Sequence, residues 1–514
     1  MNQMRTIRLL ALFLALSLLS GCSGPVPLRD EISATLPPVE NRYATPAAGA
    51  AREYAETVLL YLPGVSSNQL ITVPERILIP SDQHPAEATV RKLLSFTGSE
   101  TARPLFPEAL LRLQEGTQAL EVSGDIATVN LSANAGLLSK QDLFMLRRAI
   151  ANTLMQWRDI RYVNVLITGM EPGVDQASLT PAGSMQFTRN EDAPALWDSL
   201  SSRSSLEGAE VQRFSSVCTL YFPAGYGTGI LSEARTVSFP GQSYRQIASS
   251  LLEALSAGPQ TLHQNPVMPD LVTLLTQPPT VEEGDDGRYV IDLQFMEIAN
   301  QTFVNAGVPR SVMLAAITYT LTTFIPRLEG VRIRIGNEQI EGIVPGGIYE
   351  GAGEQILFAG SVLRRSDFSV FLLTDCTLYF ASGESLVPVR RPIPHGSAFN
   401  RKYLVEQLML GPQAFDSVIG TEPVFPQGIS TEHLIAVDKE GDTAQVNFSG
   451  SFLELSRDLS PQKEKLLIYS LVNTLCDTRL IKRVRLYVDG VQPESLAGEV
   501  WLPGEFLKNP EMVR

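Results

Sequence analysis

Residues that carry chemistry are scarce in this chain. Its 514 residues include four cysteines and four histidines. His84, His263, His395 and His433 share no metal-ligand spacing with one another or with cysteine, so each is expected in a loop or at the surface and no metal site is assigned. There is no G-x-S-x-G elbow, no P-loop and no G-x-G-x-x-G opening a helix. "GAGEQ" at Gly351–Gln355 is glycine-rich but lacks a strand-to-helix setting. Positive charge is also short: 41 Lys and Arg stand against 55 Asp and Glu, for a net charge of −14. Phosphate backbones need a basic face and no basic cluster breaks the acidic average, so nucleic acid is not an expected partner. Beyond the N-terminus no apolar run is long enough to span a bilayer.

The N-terminus is the first positive feature. Arg5 and Arg8 precede eleven apolar-rich residues, Leu9–Leu19, and "LSGC" (Leu19–Cys22) follows. Eleven helical residues rise about 16 Å, roughly half of the hydrocarbon layer. This length fits a removable signal segment, residues 1–21, and not a span. The small Ser20 and Gly21 before Cys22 resemble a bacterial lipobox, which implies cleavage after Gly21 and diacylglyceryl attachment to the Cys22 thiol. Cleavage would remove two arginines and no acid, taking the charge from −14 to −16. An acidic protein is not drawn to anionic lipid, so acyl burial, about 0.8 kcal/mol per methylene, would hold it to the membrane. Residues 22–53, with "TLPPVE" and "TPAAGAA", read as a Pro/Ala-rich tether.

The rest of the chain repeats. "CTLYF" occurs at Cys218–Phe222 and again at Cys376–Phe380. Each copy leads through a turn and a further short extended piece to an amphipathic helix ending in Gly-Pro-Gln. The stripes are Ile247, Leu251 and Leu255 in one copy, Leu404 and Leu408 in the other. A Gly-Asp turn and an alternating strand follow, "GDDGRYVIDLQF" or "GDTAQVNFSGSF". A long helix comes next, with Leu314, Ile317, Leu321 and Phe324 on one face, or Ile468, Leu471, Val472 and Leu475. The unit closes on "VRIRIG" or "VRLYVDG", strands of period two. A more divergent copy lies upstream: "TVLLYLPG", "ATVRKLLSFTG", "SGDIATVNL", "LFMLRRAIANTLMQW" and "VNVLIT". Three unit types in one order indicate triplication.

The predicted fold class is α+β: three tandem two-layer α/β sandwiches of order β-α-β-β-α-β, with helices on one sheet face. The other face, or an edge strand, is then open to a partner. The predicted units span 54–175, 214–342 and 372–492, with connectors at 176–213 and 343–371 and a tail at 493–514. After each unit comes a Gly-led segment with a basic residue, "GSMQFTRN", "GSVLRRS" or "GEFLKNP". These read either as an extra hairpin of each unit or as chance similarity.

The acidic stretch "EEGDDG" (Glu282–Gly287) lacks the twelfth-position Glu of a calcium loop and reads as a solvated turn. The one acid shared by all three units is the turn aspartate, Asp125, Asp285 or Asp442, which suits a turn by bonding its own backbone. With Cys22 acylated, Cys218, Cys376 and Cys476 remain, an odd number, and buried thiols are expected. A Cys376–Cys476 bridge stays open, although the middle unit has Thr322 at the second position.

"LYF", "LLEALSAGPQ", "VEQLMLGPQ", "VIDL", "VNF", "NTL" and "VRLYVDG", taken in order, resemble the GerMN domain of bacterial sporulation and spore-germination proteins and some envelope lipoproteins. The upstream copy departs, with Leu62 after Tyr61 and Thr97-Gly98 in place of Gly-Pro. The resemblance implies a non-catalytic, extracytoplasmic module related to ring-building modules, which assembles with other envelope proteins. The expectation is a lipid-anchored protein on the outer face of the bacterial cell membrane. It would bind or scaffold envelope or sporulation proteins, with oligomer or ring assembly open, and would need no cofactor. Two alternatives are an envelope, peptidoglycan-directed hydrolase with a cryptic carboxylate site and a small-ligand-binding lipoprotein. If Cys22 carries the anchor, Cys22→Ala abolishes acyl labelling and releases the protein from membranes; retention of that variant refutes it.

Overall fold

Each of the three units opens with a long antiparallel hairpin whose first strand is rich in apolar, aromatic and β-branched residues. The computed structural model describes residues 53–514, apart from 81–82, 117–118, 175–179, 205–212, 225–226, 261–266, 346–352, 415, 419 and 479. Cys22, the tether up to residue 52, and His263 lie outside the described residues.

Unit 1 comprises β1 (Glu53–Pro63), β2 (Leu70–Pro80), α1 (Pro85–Leu94), β3 (Leu120–Ser123), β4 (Ile126–Leu131), α2 (Lys140–Leu154) and β5 (Tyr162–Ile167). The helix α3 (Ala193–Ser204) leads on to unit 2. That unit has β6 (Phe214–Ala224), β7 (Gly229–Phe239), α4 (Tyr244–Ser256), β8 (Thr280–Glu283), β9 (Tyr289–Phe295), α5 (Ala299–Asn305), α6 (Arg310–Phe324) and β10 (Leu328–Ile335). Three two-residue strands follow, β11 (Glu338–Gln339), β12 (Gly342–Ile343) and β13 (Ile356–Leu357). Unit 3 has β14 (Leu373–Ser382), β15 (Ser385–Pro394), α7 (Arg401–Met409), β16 (Leu434–Glu440), β17 (Thr443–Phe448), α8 (Gly450–Ser456), α9 (Pro461–Asp477), β18 (Arg483–Val488) and β19 (Phe506–Leu507).

The two-layer sandwich is therefore present three times. In each unit the short extended piece after the opening strand proves to be a full hairpin arm of ten or eleven residues. The inner sheet pairs β3 antiparallel to β4 and β4 parallel to β5, and the β8-β9-β10 and β16-β17-β18 sheets repeat that pattern. The long helices pack their predicted stripes inward: Leu314, Ile317 and Leu321 are fully buried, as are Ile468, Leu471, Val472 and Leu475.

Two side-chain locks explain why the repeated motifs recur. Thr153, Thr320 and Thr474, in the C-terminal halves of α2, α6 and α9, accept the backbone N–H of Tyr61, Tyr221 and Tyr379 at 3.0, 3.0 and 3.1 Å. The long helix is thus pinned to the opening strand at one depth in all three units, by bonds of about 1 kcal/mol each. The second lock is an arginine opposite the motif cysteine, since Cys218 pairs with Arg235 and Cys376 with Arg391. Arg235 donates to the carbonyls of Ala254 and Gly258, and Arg391 to those of Gln407 and Gly411. These are carbonyls that a helix end leaves without partners. Gly258 and Gly411 sit at φ 73° and 74°, the left-handed turn glycine accommodates at a helix exit. Unit 1 departs here as its sequence does: Glu75 stands opposite Val58 and pairs with Lys92 at 2.9 Å.

The Gly-led segments belong to their units. Met185 bridges Val163, Leu363 bridges Val331, and β19 pairs Phe506 with Val484, so each segment lies along its closing strand. Asn152 and Asn473, the asparagines of "NTL", clamp both backbone groups of Thr188 and Asn509 in these segments, at 2.8–3.1 Å.

Arg391 and Asp416 are both fully buried and doubly bonded, at 2.8 and 2.7 Å. Arg391→Ala leaves the carboxylate buried without its partner and should cost about 3–5 kcal/mol in urea unfolding. Lys402→Ala, which breaks an exposed pair with Glu406, should cost less than about 0.5 kcal/mol.

Candidate functional site

The three sheets use their outer faces differently. On unit 1, Glu121, Ser123, Thr128 and Asn164 lie on the face away from the helices, and all four are buried. Asn164 donates to Thr219 of β6 at 2.8 Å and Ser184 donates to Asn164 at 2.8 Å. Ser123 donates to the carbonyl of Leu373 at 2.7 Å and accepts from Ser232 N–H at 3.1 Å. The expectation that this face is open to a partner thus fails in unit 1, whose sheet is covered by the other units of its own chain.

At the centre of this contact Glu121 accepts from the Arg365 guanidinium, with both side chains 5% exposed. Arg365 also donates to Tyr221 Oη at 3.1 Å and lies 4.0 Å from the Tyr319 ring centroid, while Tyr319 Oη donates to Glu121 at 3.3 Å. Burial and the Glu121 charge push the Tyr319 phenol well above its ordinary value, so it stays protonated as a donor.

On units 2 and 3 the position of Asn164 is taken by Arg332 and Arg485. Arg332 bridges Glu282 and Asp292, both at 2.8 Å, and Arg485 reaches Glu505 at 2.6 Å. These outer faces carry partly exposed ion pairs and are open. The predicted turn acids are structural. The carbonyls of Asp125 and Asp442 accept two backbone N–H groups each, and their carboxylates pair with Arg161 and Arg483. Asp285 lies inside the turn that Gly287 N–H closes onto the Gly284 carbonyl at 3.0 Å. "EEGDDG" is that hairpin turn, with Gly284 N–H donating to the Arg288 carbonyl at 2.8 Å and Asp286 accepting from Arg288 N–H.

A cleft of about 1550 Å³ between units 1 and 3 leaves no trace in the sequence. Acids from both units line it, among them Glu53, Asp159, Asp375, Asp442 and Asp477. Asp159 bonds His84 at 3.0 Å, Asp442 pairs with Arg483, and Asp477 pairs with Lys508 at 2.6 Å. A carboxyl-catalysed hydrolase needs one acid with a raised pKa. Burial raises Glu171, Asp367 and Asp438, and none of these lines the cleft; Asp442, which does, is held low by Arg483.

Among the described residues Cys218, Cys376 and Cys476 are free thiols, the last only partly buried. Burial pushes the Cys476 thiol up to about 11, away from thiolate reactivity. No group of three or more His, Cys, Asp and Glu among the described residues could hold a metal ion. The three described histidines are engaged: His84 accepts Ala86 N–H at the start of α1, His433 bonds Ser430, and His395 accepts Val122 N–H of unit 1 at 2.8 Å. His395 stands in the turn after β15, as expected of a loop histidine, and also joins two units.

A triplicated sandwich whose recurrent side chains hold strands to helices and close helix ends defines a tandem-domain α/β protein. The profile of the Germane family, described as sporulation and spore germination, matches residues 59–172, 219–341 and 377–494. The chain belongs to this family. Among solved structures it is similar to the tandem GerMN domains of the sporulation protein GerM from Bacillus subtilis, at 16% identity over 58% of this chain and 99% of that one, TM-score 0.22. It is also similar to the first GerMN domain of that protein, at 16% identity over 22% and 84%, TM-score 0.18. A provisionally assigned lipoprotein from Clostridium perfringens is 23% identical over 27% and 89%, TM-score 0.19. No curated protein matches.

Burial, with His84 and Arg365 nearby, pulls the His395 imidazole below its ordinary value against the opposing pull of Glu121. Unfolded, the ring binds a proton below about pH 6.5, whereas the folded ring stays neutral to lower pH. Unfolding then takes up a proton, so stability should fall as pH drops from about 6.5 toward the folded value. His395→Asn keeps an acceptor for Val122 and cannot titrate, so it should flatten that slope in urea midpoints. An unchanged slope assigns the pH dependence to another group.

Proposed function

We propose that this Germane-family chain is a lipid-anchored, extracytoplasmic envelope protein. It scaffolds or binds other proteins during sporulation, germination or envelope assembly, without catalysis. The supporting observation is the contrast between outer sheet faces. The unit 1 face is satisfied inside the chain, whereas units 2 and 3 present Arg332 and Arg485 with their acidic neighbours on open sheets, surfaces suited to a partner of complementary charge. The "LSGC" segment supports attachment through Cys22, and among the described residues no helix is long and apolar enough to cross a membrane. The non-catalytic reading rests on the repeated side chains holding strands, helix ends and turns.

Co-purification of the anchored protein from sporulating and vegetative membranes should yield a stoichiometric envelope partner. Arg332→Gln with Arg485→Gln should reduce its recovery at least tenfold while lowering the unfolding midpoint only slightly, since the pairs are partly exposed. Release of muropeptides from peptidoglycan by the purified chain, abolished by one Asp or Glu substitution, would overturn the non-catalytic reading.

A further inference from the structure

The cleft between units 1 and 3 contains two hydrogen-bond donors with nothing to donate to. Lys439, near the end of β16, is 8% exposed, and its Nζ lies 3.0 Å from the centroid of the Tyr54 ring on β1. Among the described residues no carboxylate, carbonyl or hydroxyl bonds that ammonium. The Tyr54 hydroxyl is buried and also lacks a partner. Both residues line the cleft. The ring face compensates part of the lysine charge, and the buried phenol hydroxyl without an acceptor is costly. Burial and Arg401 together pull Lys439 down to about 8, against Glu56 and Asp442. The ammonium still predominates at neutral pH, and a bound anion would raise the value again.

An ammonium beside a phenol hydroxyl is complementary to one oxyanion that accepts from both. The remaining wall selects among anions. Glu53, Glu56, Asp375, Glu440 and Asp477 also face the space and outnumber its other cations, Arg158, Lys482 and Lys508. A phosphate dianion or a polyanion would meet those acids at close quarters. A ligand with a single carboxylate at one end and an ammonium at the other satisfies both sets of charges. At about 1550 Å³ the cleft exceeds the usual small-molecule pocket of about 300–1,000 Å³, leaving room for several residues of extended chain.

We propose that the cleft between units 1 and 3 binds a short peptide. Its free C-terminal carboxylate is held by Lys439 Nζ and Tyr54 Oη, and its amino end faces the cleft acids. This site is separate from the open sheet faces and does not rest on the scaffold reading.

The test is calorimetric titration of the full chain in detergent with trialanine, with trialanine C-terminal amide, and with inorganic phosphate. Trialanine should bind at millimolar concentrations or below, the amide at least tenfold more weakly, and phosphate should not compete. Tyr54→Phe keeps the ring beneath the lysine and removes only the hydroxyl, so affinity should fall roughly fivefold; Lys439→Met should lower it at least tenfold. The proposal is overturned if trialanine gives no heat, if acid and amide bind equally, if phosphate displaces trialanine, or if Tyr54→Phe, correctly folded, binds as the parent does.

Discussion

The ion pair between Glu121 and Arg365 is the interaction on which the arrangement of the three units depends. A carboxylate on the sheet of one unit and a guanidinium from the segment beyond the next are both removed from water. Either alone would carry a desolvation penalty of several kcal/mol. They are tolerable because Tyr221, Thr323 and Tyr319 satisfy the remaining hydrogen-bonding positions. Such a pair says little about net stability. Its effect is to fix one relative placement of units 1 and 2, because any slip would leave a charge buried without a partner. The Ser123–Leu373 and Val122–His395 bonds then set unit 3 against unit 1, and the cleft is the space left between those two.

The middle unit provides this junction by giving up a lock that its neighbours keep. In "NTL" the asparagine clamps the trailing segment; in unit 2 the same place in the helix is Tyr319, whose ring supports Arg365 and whose hydroxyl reaches Glu121. The threonine beside it is retained in all three copies, since its bond to the opening strand is internal to the unit. The position that changes to meet a neighbour thus lies directly beside one that is kept for the unit's own packing.

That division also governs what can be read from the sequence. The apolar stripes, the Gly-Pro helix exits, the turn aspartates and the closing strands follow local periodicity and turn chemistry, and those signals are plain. The second hairpin arm reads as short because Pro388, Arg390, Arg391 and Pro392 interrupt the usual strand composition; the register with β14 holds across them because Arg391 is anchored to a helix end. The covered face of unit 1 is not legible, since Glu121 and Ser123 look like ordinary exposed strand residues until units meet. Lys439 and Tyr54 lie near opposite ends of the chain in different units, and no short-range pattern joins them.

The segments trailing each unit bear on where a unit ends. In unit 1, a chain stopped at Ile167 would take Met185 from Val163 and Thr188 from Asn152. In unit 3, a chain stopped at Val488 would strip Phe506 from Val484 and Asn509 from Asn473. An excised module cut at its final strand would therefore expose raw backbone donors and acceptors, a template for intermolecular pairing. The piece that can stand alone runs on through the trailing segment, and this self-closure leaves lateral growth of the sheet to the opposite margin.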